Sequence, residues 1–372
     1  MKNSYRKLLA MTAAAVMTAS ALAGCGQGSG QAADETSAAA QTGQTAAAAE
    51  AGAGGSGKVY KVGVVQYMDH ASLNQITEYI DKELDVKGAE KGVTFDYQDY
   101  FFNGQGDATV LNQAGAQLKD DGVDIVVAIA TPTAQIMQST FEGTDAPIVF
   151  SAVTDPVGAG LVTSFDAPGA NITGTSDALN TEAIMNLIFA QNPDADRIGL
   201  LYSKSEDSST KAIGDAKAFL DQKGVPYTEK TGTSTDEINQ AVDALIADGV
   251  DAVFTPTDNT IMNAELAIYE KFIDAGIPHY TGADSFALNG AFLGFGINYA
   301  DLGTATADII SDILTDGKDP ASYPVVTLDN GIATINTETA QALNIDLKSA
   351  EEAFKPFCSS IQETKTAENF GN

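Results

Sequence analysis

Basic residues are scarce in this sequence. Only 20 Lys and Arg stand against 50 Asp and Glu in 372 residues, which gives a formal net charge of −30. Nucleic acids and phosphate-rich ligands bind positively charged surfaces, so we expect a chain this acidic to bind neither. Beyond residue 24 the one arginine is Arg197. The chain therefore offers no pair of guanidinium groups that could clamp a carboxylate or a phosphate.

Cysteine and histidine are equally rare, with two of each. No disulfide framework is expected, because Cys25 lies in a signal-like segment and Cys358 is then alone. His70 is predicted to be a hydrogen-bonding loop residue rather than a metal ligand, and His279 a structural residue within a strand. The folded region also lacks the HExxH, GxSxG and Walker A motifs. We therefore predict a protein that is not an enzyme and needs neither a metal nor a cofactor.

The N-terminus has the features of a bacterial lipoprotein signal. Three basic residues precede an apolar run of small residues at 8–23, and the sequence Leu-Ala-Gly stands directly before Cys25. This order resembles a lipobox and predicts a signal peptide over residues 1–24 and a lipid-modified Cys25. The alternatives are an ordinary secretory signal and a transmembrane anchor, for which the run is short and rich in alanine. We expect an extracytoplasmic protein that its lipid holds at the cell membrane.

A segment of low complexity follows the cysteine. Residues 26–58 consist almost entirely of Gly, Ala, Ser, Gln and Thr. Such a composition cannot bury enough apolar surface to fold, so residues 25–58 are predicted to be the lipidated cysteine and a flexible linker. The folded part of the chain then begins at Val59.

The remainder of the sequence contains a long internal repeat. Four landmarks occur twice in the same order, at 61–67 and 197–203, 91–93 and 223–225, 121–133 and 248–257, and 147–150 and 278–281. The partners lie 127–136 residues apart, whereas the units of a solenoid are about 20–50 residues long. The repeat therefore predicts two similar lobes, and a cleft between two lobes is a common place for a small ligand.

Both halves alternate short apolar strands with amphipathic helices. In the first half the predicted strands are 61–66, 93–98, 124–130 and 147–151, with helices at 72–90, 107–120 and 132–141. In the second half the strands are 197–202, 225–229, 251–255, 278–281 and 292–297, with helices at 181–191, 207–222, 235–247 and 260–274. This alternation is typical of an α/β fold with parallel sheets covered on both faces.

The end of the chain suggests that the two lobes are connected more than once. A further helix at 301–316 and an apolar segment near 325–328 follow the second lobe. We predict two doubly wound parallel-sheet lobes joined by a hinge of several crossings. The predicted boundaries are 59–174 plus 300–323 for the N-terminal lobe, 175–299 plus 324–360 for the C-terminal lobe, and 361–372 for a tail.

Several loops resemble those of a known family. They are 64–70 (VVQYMDH), 130–135 (ATPTAQ), 151–162 (SAVTDPVGAGLV), 168–177 (PGANITGTSD) and 257–259 (TDN). Together they resemble the bacterial ABC-transporter substrate-binding lipoproteins that include the binders of tryptophan and other aromatic amino acids. The resemblance spans roughly residues 59–345. It implies a type I periplasmic-binding-protein fold and delivery of the ligand to a permease with its ATPase.

The sequence departs from this family at two places near the expected site. After His70 the family commonly has a proline and a later aspartate, whereas this chain has Ala-Ser-Leu-Asn at 71–74. Where relatives often carry Asn-Ser after the first strand of the second lobe, this chain has Glu-Asp-Ser-Ser at 206–209. The family is therefore better indicated than the identity of the ligand.

Ligands of open α/β sheets bind beyond the carboxyl ends of the strands. Thr131 and Thr133 stand there at the start of a helix, with a proline between them, so free amides and two hydroxyls are expected to face the cleft and receive a carboxylate. The second copy of this motif adds Asp258 and Asn259, and Asp258 is predicted to pair with a ligand ammonium. The alternative for both copies is a capping motif without a ligand.

The other candidate residues lie in equivalent loops. Tyr67 follows the first strand and could stack on a flat apolar ligand. Asp155 and Asp284 are candidates for ligand binding, with a turn-forming role as the alternative. The full set of predicted ligand-binding residues is Gln66, Tyr67, His70, Thr131, Thr133, Thr154, Asp155, Asp207, Ser208, Asp258, Asn259 and Asp284.

These residues favour a binding protein. We predict a solute-binding lipoprotein of an ABC importer that captures a small zwitterion, an aromatic amino acid before others, by closing its lobes. The alternatives are a sensor that presents its closed state to a membrane receptor and a binder of another amino acid, a nucleobase-like heterocycle or a sugar. An extracytoplasmic enzyme is the third class, and the missing catalytic motifs argue against it.

Overall fold

The computed structural model describes residues 57–367. The predicted signal peptide and Cys25, and the linker up to residue 56, lie outside this range. No helix among residues 57–367 is long and apolar enough to cross a membrane.

The first lobe is built on a sheet of seven parallel strands. Its elements are β1 (Val59–Gln66), α1 (Ala71–Lys91), β2 (Thr94–Asp96), β3 (Phe101–Asn103), α2 (Ala108–Asp121), β4 (Ile125–Ile129), α3 (Thr131–Thr140), β5 (Ile148–Ser151) and β6 (Ile172–Ser176). The strand order is β6-β5-β4-β1-β2, and β3 pairs with the second half of β1. The seventh strand comes from the end of the chain, where Val326–Thr327 pairs with β6. Strands such as β4 are buried on both faces, which explains their continuous run of Ile, Val and Ala.

The second lobe repeats this arrangement. It contains α4 (Thr181–Gln191), β7 (Ile198–Tyr202), α5 (Asp207–Lys223), β8 (Tyr227–Thr231), α6 (Thr235–Ala247), β9 (Ala252–Thr255), α7 (Asn259–Ala275), β10 (His279–Thr281), α8 (Asp284–Leu288) and β11 (Leu293–Gly296). The chain continues with α9 (Tyr299–Asp316), β12 (Val326–Thr327), β13 (Ile332–Asn336), α10 (Thr337–Ala342), α11 (Leu347–Phe354) and β14 (Ser360–Thr364). The second sheet has the order β14-β13-β11-β10-β9-β7-β8 and is parallel except between β11 and β13.

Two of the four repeated sequence landmarks lie at the ends of equivalent helices, and the other two lie in equivalent strands. The two Lys-Gly-Val stretches end α1 and α5, and Gly92 and Gly224 both adopt left-handed backbone angles, with φ of 67° and 74°. The two Asp-Gly-Val-Asp stretches follow α2 and α6 and place Gly122 and Gly249 in the same conformation. Glycine ends a helix in this way without a steric penalty, so the repeat preserves the turns that lead into the next strand.

The chain crosses between the lobes three times. It passes from β6 to α4, from β11 to α9, and from β12 to β13. After the second crossing α9 packs on α1 so closely that a side chain at Gly303 would meet the Ile76 carbonyl oxygen at 2.5 Å. These crossings confirm the predicted fold class of two parallel α/β lobes with a hinge of several segments.

Two predicted lobe boundaries are wrong. Strand β12 pairs with β6, so residues 326–327 belong to the first sheet and not to the segment 324–360 assigned to the second lobe. Strand β14 pairs with β13 at the edge of the second sheet, so the predicted tail 361–372 begins inside a strand. Strand β14 is largely exposed and has a single apolar residue, which makes it a poor strand candidate from sequence, whereas the apolar segment near 325–328 that contains β12 does not indicate which sheet it joins.

Other short elements were also absent from the prediction. These are β3, β6, β13, α8, α10 and α11. The consequence is greatest for β6, which has the polar sequence Ile-Thr-Gly-Thr-Ser but is fully buried. Its hydroxyls are satisfied inside the lobe, where Thr173 donates to the Tyr323 carbonyl at 2.8 Å and Thr175 lies 3.0 Å from Thr306. A buried strand therefore need not be apolar when its hydroxyls have partners.

Candidate functional site

The carboxyl ends of both sheets face a shared cavity, which in this closed structure has a volume of about 30 Å³. From the first lobe it is lined by His70, Ser72, Leu73, Ala130, Thr131, Ala152, Thr154, Asp177 and Tyr299, and from the second by Ser208, Thr257, Asp258, Asn259, Met262, Ala283, Ser285 and Phe286. None of these lining residues is Lys or Arg, so a ligand carboxylate would be bound by neutral donors.

The N-terminus of α3 opens into this cavity. Thr131 and Thr133 are buried, and among residues 57–367 neither Oγ1 atom has a hydrogen-bond partner. The residue before the helix, Ala130, has φ 79° and ψ 154°, a conformation that non-glycine residues rarely adopt. Ala152, at the end of β5, also has a positive φ of 55°. Backbone strain at two lining residues, beside two unpartnered hydroxyls, is typical of a site held ready for a ligand.

Asp177 forms a second polar group at the end of β6. Its carboxylate accepts a hydrogen bond from the Thr154 hydroxyl at 3.0 Å and lies 3.5 Å from the Tyr299 hydroxyl. Burial raises the pKa of Asp177 to about 6. Because its two contacts leave lone pairs unused, this carboxylate can accept further hydrogen bonds from a ligand.

Asp258 is buried and forms the N-cap of α7. It accepts hydrogen bonds from the Ser203 amide at 2.7 Å, the Ser209 hydroxyl at 2.7 Å and the Ile261 amide at 2.9 Å. Burial raises the pKa of Asp258 above its usual range. The capping alternative is therefore the one that the structure shows, although Asp258 also lines the cavity.

A chain of contacts joins Glu206, Asn259 and His70. The Asn259 amide donates to Glu206 Oε2 at 3.2 Å, and Asn259 Oδ1 lies 3.3 Å from His70 Nε2. Burial and the neighbouring Asp258 raise the pKa of Glu206. Burial, with repulsion from Glu206 and Asp258, raises the pKa of Tyr67 to about 12. These residues make the β1 side of the cavity polar and acidic.

Four side-chain contacts connect the lobes across the cleft. They are His70 to Asn259, Thr154 to Thr257 at 2.8 Å, Ser72 to Asp284 at 3.0 Å, and Gln135 to Asp207 at 2.8 Å. Each joins a residue of the first lobe to a residue of the second. The structure is therefore that of a closed cleft.

The structure brings half of the predicted site residues to the cavity wall. His70, Thr131, Thr154, Ser208, Asp258 and Asn259 line it. Thr133 lies two residues beyond Thr131 in α3, and Asp207 and Asp284 form contacts between the lobes. Tyr67 packs against the core beneath the cleft.

Two predicted residues lie elsewhere for clear reasons. Gln66 is buried. Its Nε2 donates to the Met68 carbonyl and to Asn74 Oδ1, and its Oε1 accepts from the Thr77 hydroxyl. Asp155 accepts from the Gly158 amide at 2.9 Å in the turn that follows β5. In this structure neither residue lines the cavity, and ligand binding by Gln66 and Asp155 stays a prediction.

The prediction missed several lining residues. Asp177 was overlooked because β6 was not recognised as a strand, and the rule that ligands bind beyond carboxyl ends would otherwise have identified it. Leu73, Met262 and Phe286 form the apolar part of the wall and lie within helices, where the sequence offers no sign that they face a cavity. The sequence does not indicate Ala130 and Ala152 as site residues either, because an alanine gives no reason to expect a positive φ.

Comparison with known proteins places this architecture in a family. The family model described as ABC transporter substrate binding protein matches residues 61–353. A tyrosine-binding protein of Clostridioides difficile (strain R20291) is 30% identical over 348 residues, which cover 93% of this chain and 94% of that protein.

Solved structures show the same fold. An ABC domain from Streptococcus pneumonia in complex with L-Trp has 33% identity and a TM-score of 0.74, and the match covers 82% of this chain and 100% of that one. The ligand-free, open structure of a substrate binding protein with adhesive properties from Clostridium difficile has 29% identity and a TM-score of 0.62, with 83% and 100% covered. The chain belongs to the family of ABC transporter substrate-binding proteins.

Proposed function

We propose that this protein is the extracytoplasmic substrate-binding lipoprotein of an ABC importer and that its ligand is an aromatic amino acid bound as a zwitterion. One observation carries the proposal. The unpartnered hydroxyl of Thr131, at the N-terminus of α3, and the carboxylate of Asp177 line the same closed cleft. They are the partners that an amino acid requires for its two charges.

The ligand carboxylate is proposed to bind at the start of α3. A helix N-terminus presents free amides and a partial positive charge, and the Thr131 and Thr133 hydroxyls add two donors. With no Lys or Arg among the lining residues, these neutral donors are the strongest carboxylate partners available.

The ligand ammonium is proposed to bind Asp177 rather than Asp258. The oxygens of Asp258 already accept three short hydrogen bonds that hold α7 and α5 together. Asp177 has one hydrogen bond at 3.0 Å and one at 3.5 Å, so its carboxylate has unused acceptor capacity. An ammonium would also favour the ionised form of this buried carboxyl.

The side chain of the ligand is proposed to lie against Leu73, Met262 and Phe286. All three are buried and line the cavity, and Met and Phe offer favourable contacts to an aromatic ring. The named ligands of two relatives, tyrosine and L-Trp, support this choice of side chain.

Closure of the lobes is proposed to be the signal to the permease. The four contacts across the cleft form only when the lobes meet, and the chain has a higher TM-score to the relative in complex with L-Trp than to the open, ligand-free one. A ligand that touches both lobes binds the closed form more tightly and shifts the population toward it. The closed form would then deliver the amino acid to the permease.

The first experiment tests the zwitterion. Isothermal titration calorimetry would compare tyrosine with tyramine, which lacks the carboxylate, and with 3-(4-hydroxyphenyl)propionate, which lacks the amine. We expect each analogue to bind at least tenfold more weakly, because hydrogen bonds to charged groups contribute about 1.5–3 kcal/mol. Solution X-ray scattering should show a smaller radius of gyration with the amino acid. Equal affinity for all three compounds would rule out zwitterion recognition.

A variant tests the assignment of the ammonium. Asp177→Asn should weaken binding of the amino acid at least tenfold, since it removes the charge that faces the ammonium. Asp155→Asn is the matched control, because Asp155 follows the neighbouring strand but faces a turn. If Asp177→Asn bound the amino acid as tightly as the wild type, the ammonium would lie elsewhere.

The lipid anchor is tested separately. Cys25 is proposed to carry a diacylglyceryl group that retains the protein at the membrane. Cys25→Ala should move the protein from the membrane fraction to the soluble fraction. Unchanged membrane retention would contradict the lipobox.

A further inference from the structure

His70 carries an unused acceptor inside the cavity. Its Nδ1 atom is buried, lies in a residue that lines the cavity, and has no hydrogen-bond partner among residues 57–367. A buried polar atom without a partner is unfavourable in the free protein. Neither the zwitterion contacts at α3 nor those at Asp177 account for it.

The neighbours of His70 determine which nitrogen carries its proton. Glu206 Oε2 accepts from the Asn259 amide nitrogen, which turns the Asn259 oxygen toward His70 Nε2. That oxygen can only accept, so Nε2 must be the donor. In a neutral imidazole the other nitrogen, Nδ1, then carries a lone pair. Burial lowers the pKa of His70 to about 4, so the ring is neutral at physiological pH.

The position of His70 in the sheet separates it from the proposed ammonium site. His70 follows β1 and Asp177 follows β6, and the strand order places β4 and β5 between them. Three strand spacings correspond to about 14 Å. The start of α3 follows β4 and lies between the two. An amino acid whose charged groups bind at α3 and Asp177 therefore directs its side chain toward the β1 side of the cleft, where His70 lies.

We propose that His70 Nδ1 accepts a hydrogen bond from an N–H or O–H group on the aromatic ring of the ligand. The site thereby selects a phenol or an indole over an unsubstituted phenyl ring. This inference rests on the proposed function, because it requires the amino-acid end to bind as described above. A phenyl ring in the closed cavity would leave Nδ1 buried and unpaired. Sites built to pair with a ring hydroxyl reject the analogue that lacks it.

The wild-type protein supplies the first test. Calorimetry would compare tyrosine, tryptophan and phenylalanine, which share the amino-acid end and differ in the ring. We expect phenylalanine to bind at least tenfold more weakly than the better of the other two. Phenylalanine binding as tightly as both would overturn the inference while leaving the zwitterion proposal intact. If none of the three bound, the proposed function would fail and this inference with it.

A variant tests the residue itself. His70→Leu removes the acceptor and also the contact to Asn259 across the cleft, so binding of all three ligands should weaken. The loss for tyrosine or tryptophan should be at least tenfold greater than the loss for phenylalanine. Asp69→Asn is the control, because this neighbouring side chain is exposed and does not line the cavity. An equal loss for all three ligands would mean that His70 contacts their common part or only shapes the loop, and would overturn the inference.

A spectroscopic measurement avoids dependence on the folding of the variant. In the wild type, the ¹⁵N resonances of His70 should show a protonated Nε2 and an unprotonated Nδ1. The Nδ1 resonance should shift on addition of tyrosine or tryptophan and stay nearly unchanged with phenylalanine. A protonated Nδ1 in the free protein would overturn the inference.

Discussion

The two copies of the Thr-Pro-Thr motif have the same sequence but different structural roles. In the first lobe, Thr131 is the first residue of α3 and follows the strained Ala130, and both threonine hydroxyls are unpartnered. In the second lobe, Thr255 ends β9, and its hydroxyl lies 2.8 Å from His279 Nε2. Thr257 contacts Thr154 across the cleft. One copy exposes donors to the cavity, and the other uses them inside the protein.

The difference arises from how each helix begins. The N-cap position of α3 is Ala130, which has no side chain that could cap the helix. Helix α7 begins four residues after the end of β9, and Asp258 caps it. A side-chain cap satisfies the first amides of a helix, whereas an uncapped helix leaves them for a ligand. We call the copy in the first lobe the binding copy, after its proposed role, and the copy in the second lobe the supporting copy.

The largest expected effect is a loss of stability when the helix cap of the supporting copy is removed. Asp258→Ala should lower the free energy of unfolding by about 3 kcal/mol, because it removes a helix cap and leaves the buried Ser203 amide and Ser209 hydroxyl without a partner. Chemical denaturation measures the change. The equivalent substitution in the binding copy, Ala130→Gly, should not lower stability, since glycine accepts the positive φ of this position. Similar losses in both variants would contradict the division of roles.

The second prediction concerns pH. Burial raises the pKa of Asp177 to about 6, above the value near 3.9 of an unfolded chain. Between these values the folded state binds more protons than the unfolded state, so stability falls as pH rises from about 4 to about 6 and levels off above. The contribution of Asp177 at pH 5 relative to pH 7 is on the order of 1 kcal/mol. Asp284, in the other lobe, has a pKa raised by burial in the same direction.

Thermal denaturation of the ligand-free protein at pH 5 and pH 7.5 tests this sign. The melting temperature should be higher at pH 5, and Asp177→Asn should reduce the difference. Affinity for the amino acid should be higher at pH 7.5 than at pH 5, because the ammonium requires the ionised carboxylate of Asp177. A melting temperature that is higher at pH 7.5 than at pH 5 would contradict a buried, protonatable Asp177. So would a difference in melting temperature between the two pH values that is the same in Asp177→Asn as in the wild type.

The sequence predicted the elements that form the two sheet centres. Strand β4 is a continuous apolar run because it is buried on both faces, and α1 carries its buried apolar residues at helical spacing. The repeat predicted the lobes, since helix-ending glycines such as Gly92 and Gly224 are required at equivalent turns. The position of the cleft followed from the rule for parallel sheets.

The rest of the site could not be read from the sequence for physical reasons. Asp177 can be identified as a site residue only if β6 is recognised as a strand. This strand is buried yet polar, because its hydroxyls pair with distant residues such as Thr306. The distinction between Thr131 and Thr255 depends on which neighbours saturate each hydroxyl. Those neighbours, such as His279, are brought close only by folding. Phe286 and Met262 reach the cavity because two lobes close around it.

The third prediction compares the two copies by the same substitution. Thr131→Val removes an unpartnered hydroxyl, so stability should be unchanged or slightly higher, while affinity for the amino acid should fall by about 1 kcal/mol, roughly fivefold. Thr255→Val leaves His279 Nε2 buried without its partner, so stability should fall by about 1–2 kcal/mol. Calorimetry and denaturation of both variants give the two readouts. If both variants lost stability equally and kept their affinity, neither copy would be specialised for binding.

The smallest expected effect lies at the rim of the cleft. Gln135 Nε2 donates to Asp207 Oδ2 at 2.8 Å, and this contact is exposed to water. Exposed hydrogen bonds exchange readily with water, so Gln135→Ala should weaken affinity for the amino acid by less than threefold. Ser72→Ala removes a contact between the lobes in which Ser72 is buried, and Asp284 loses a partner there. That variant should therefore shift the open and closed populations more strongly, which solution scattering at subsaturating ligand can measure. A larger effect from Gln135 than from Ser72 would mean that closure is controlled at the rim and not beside the binding cavity.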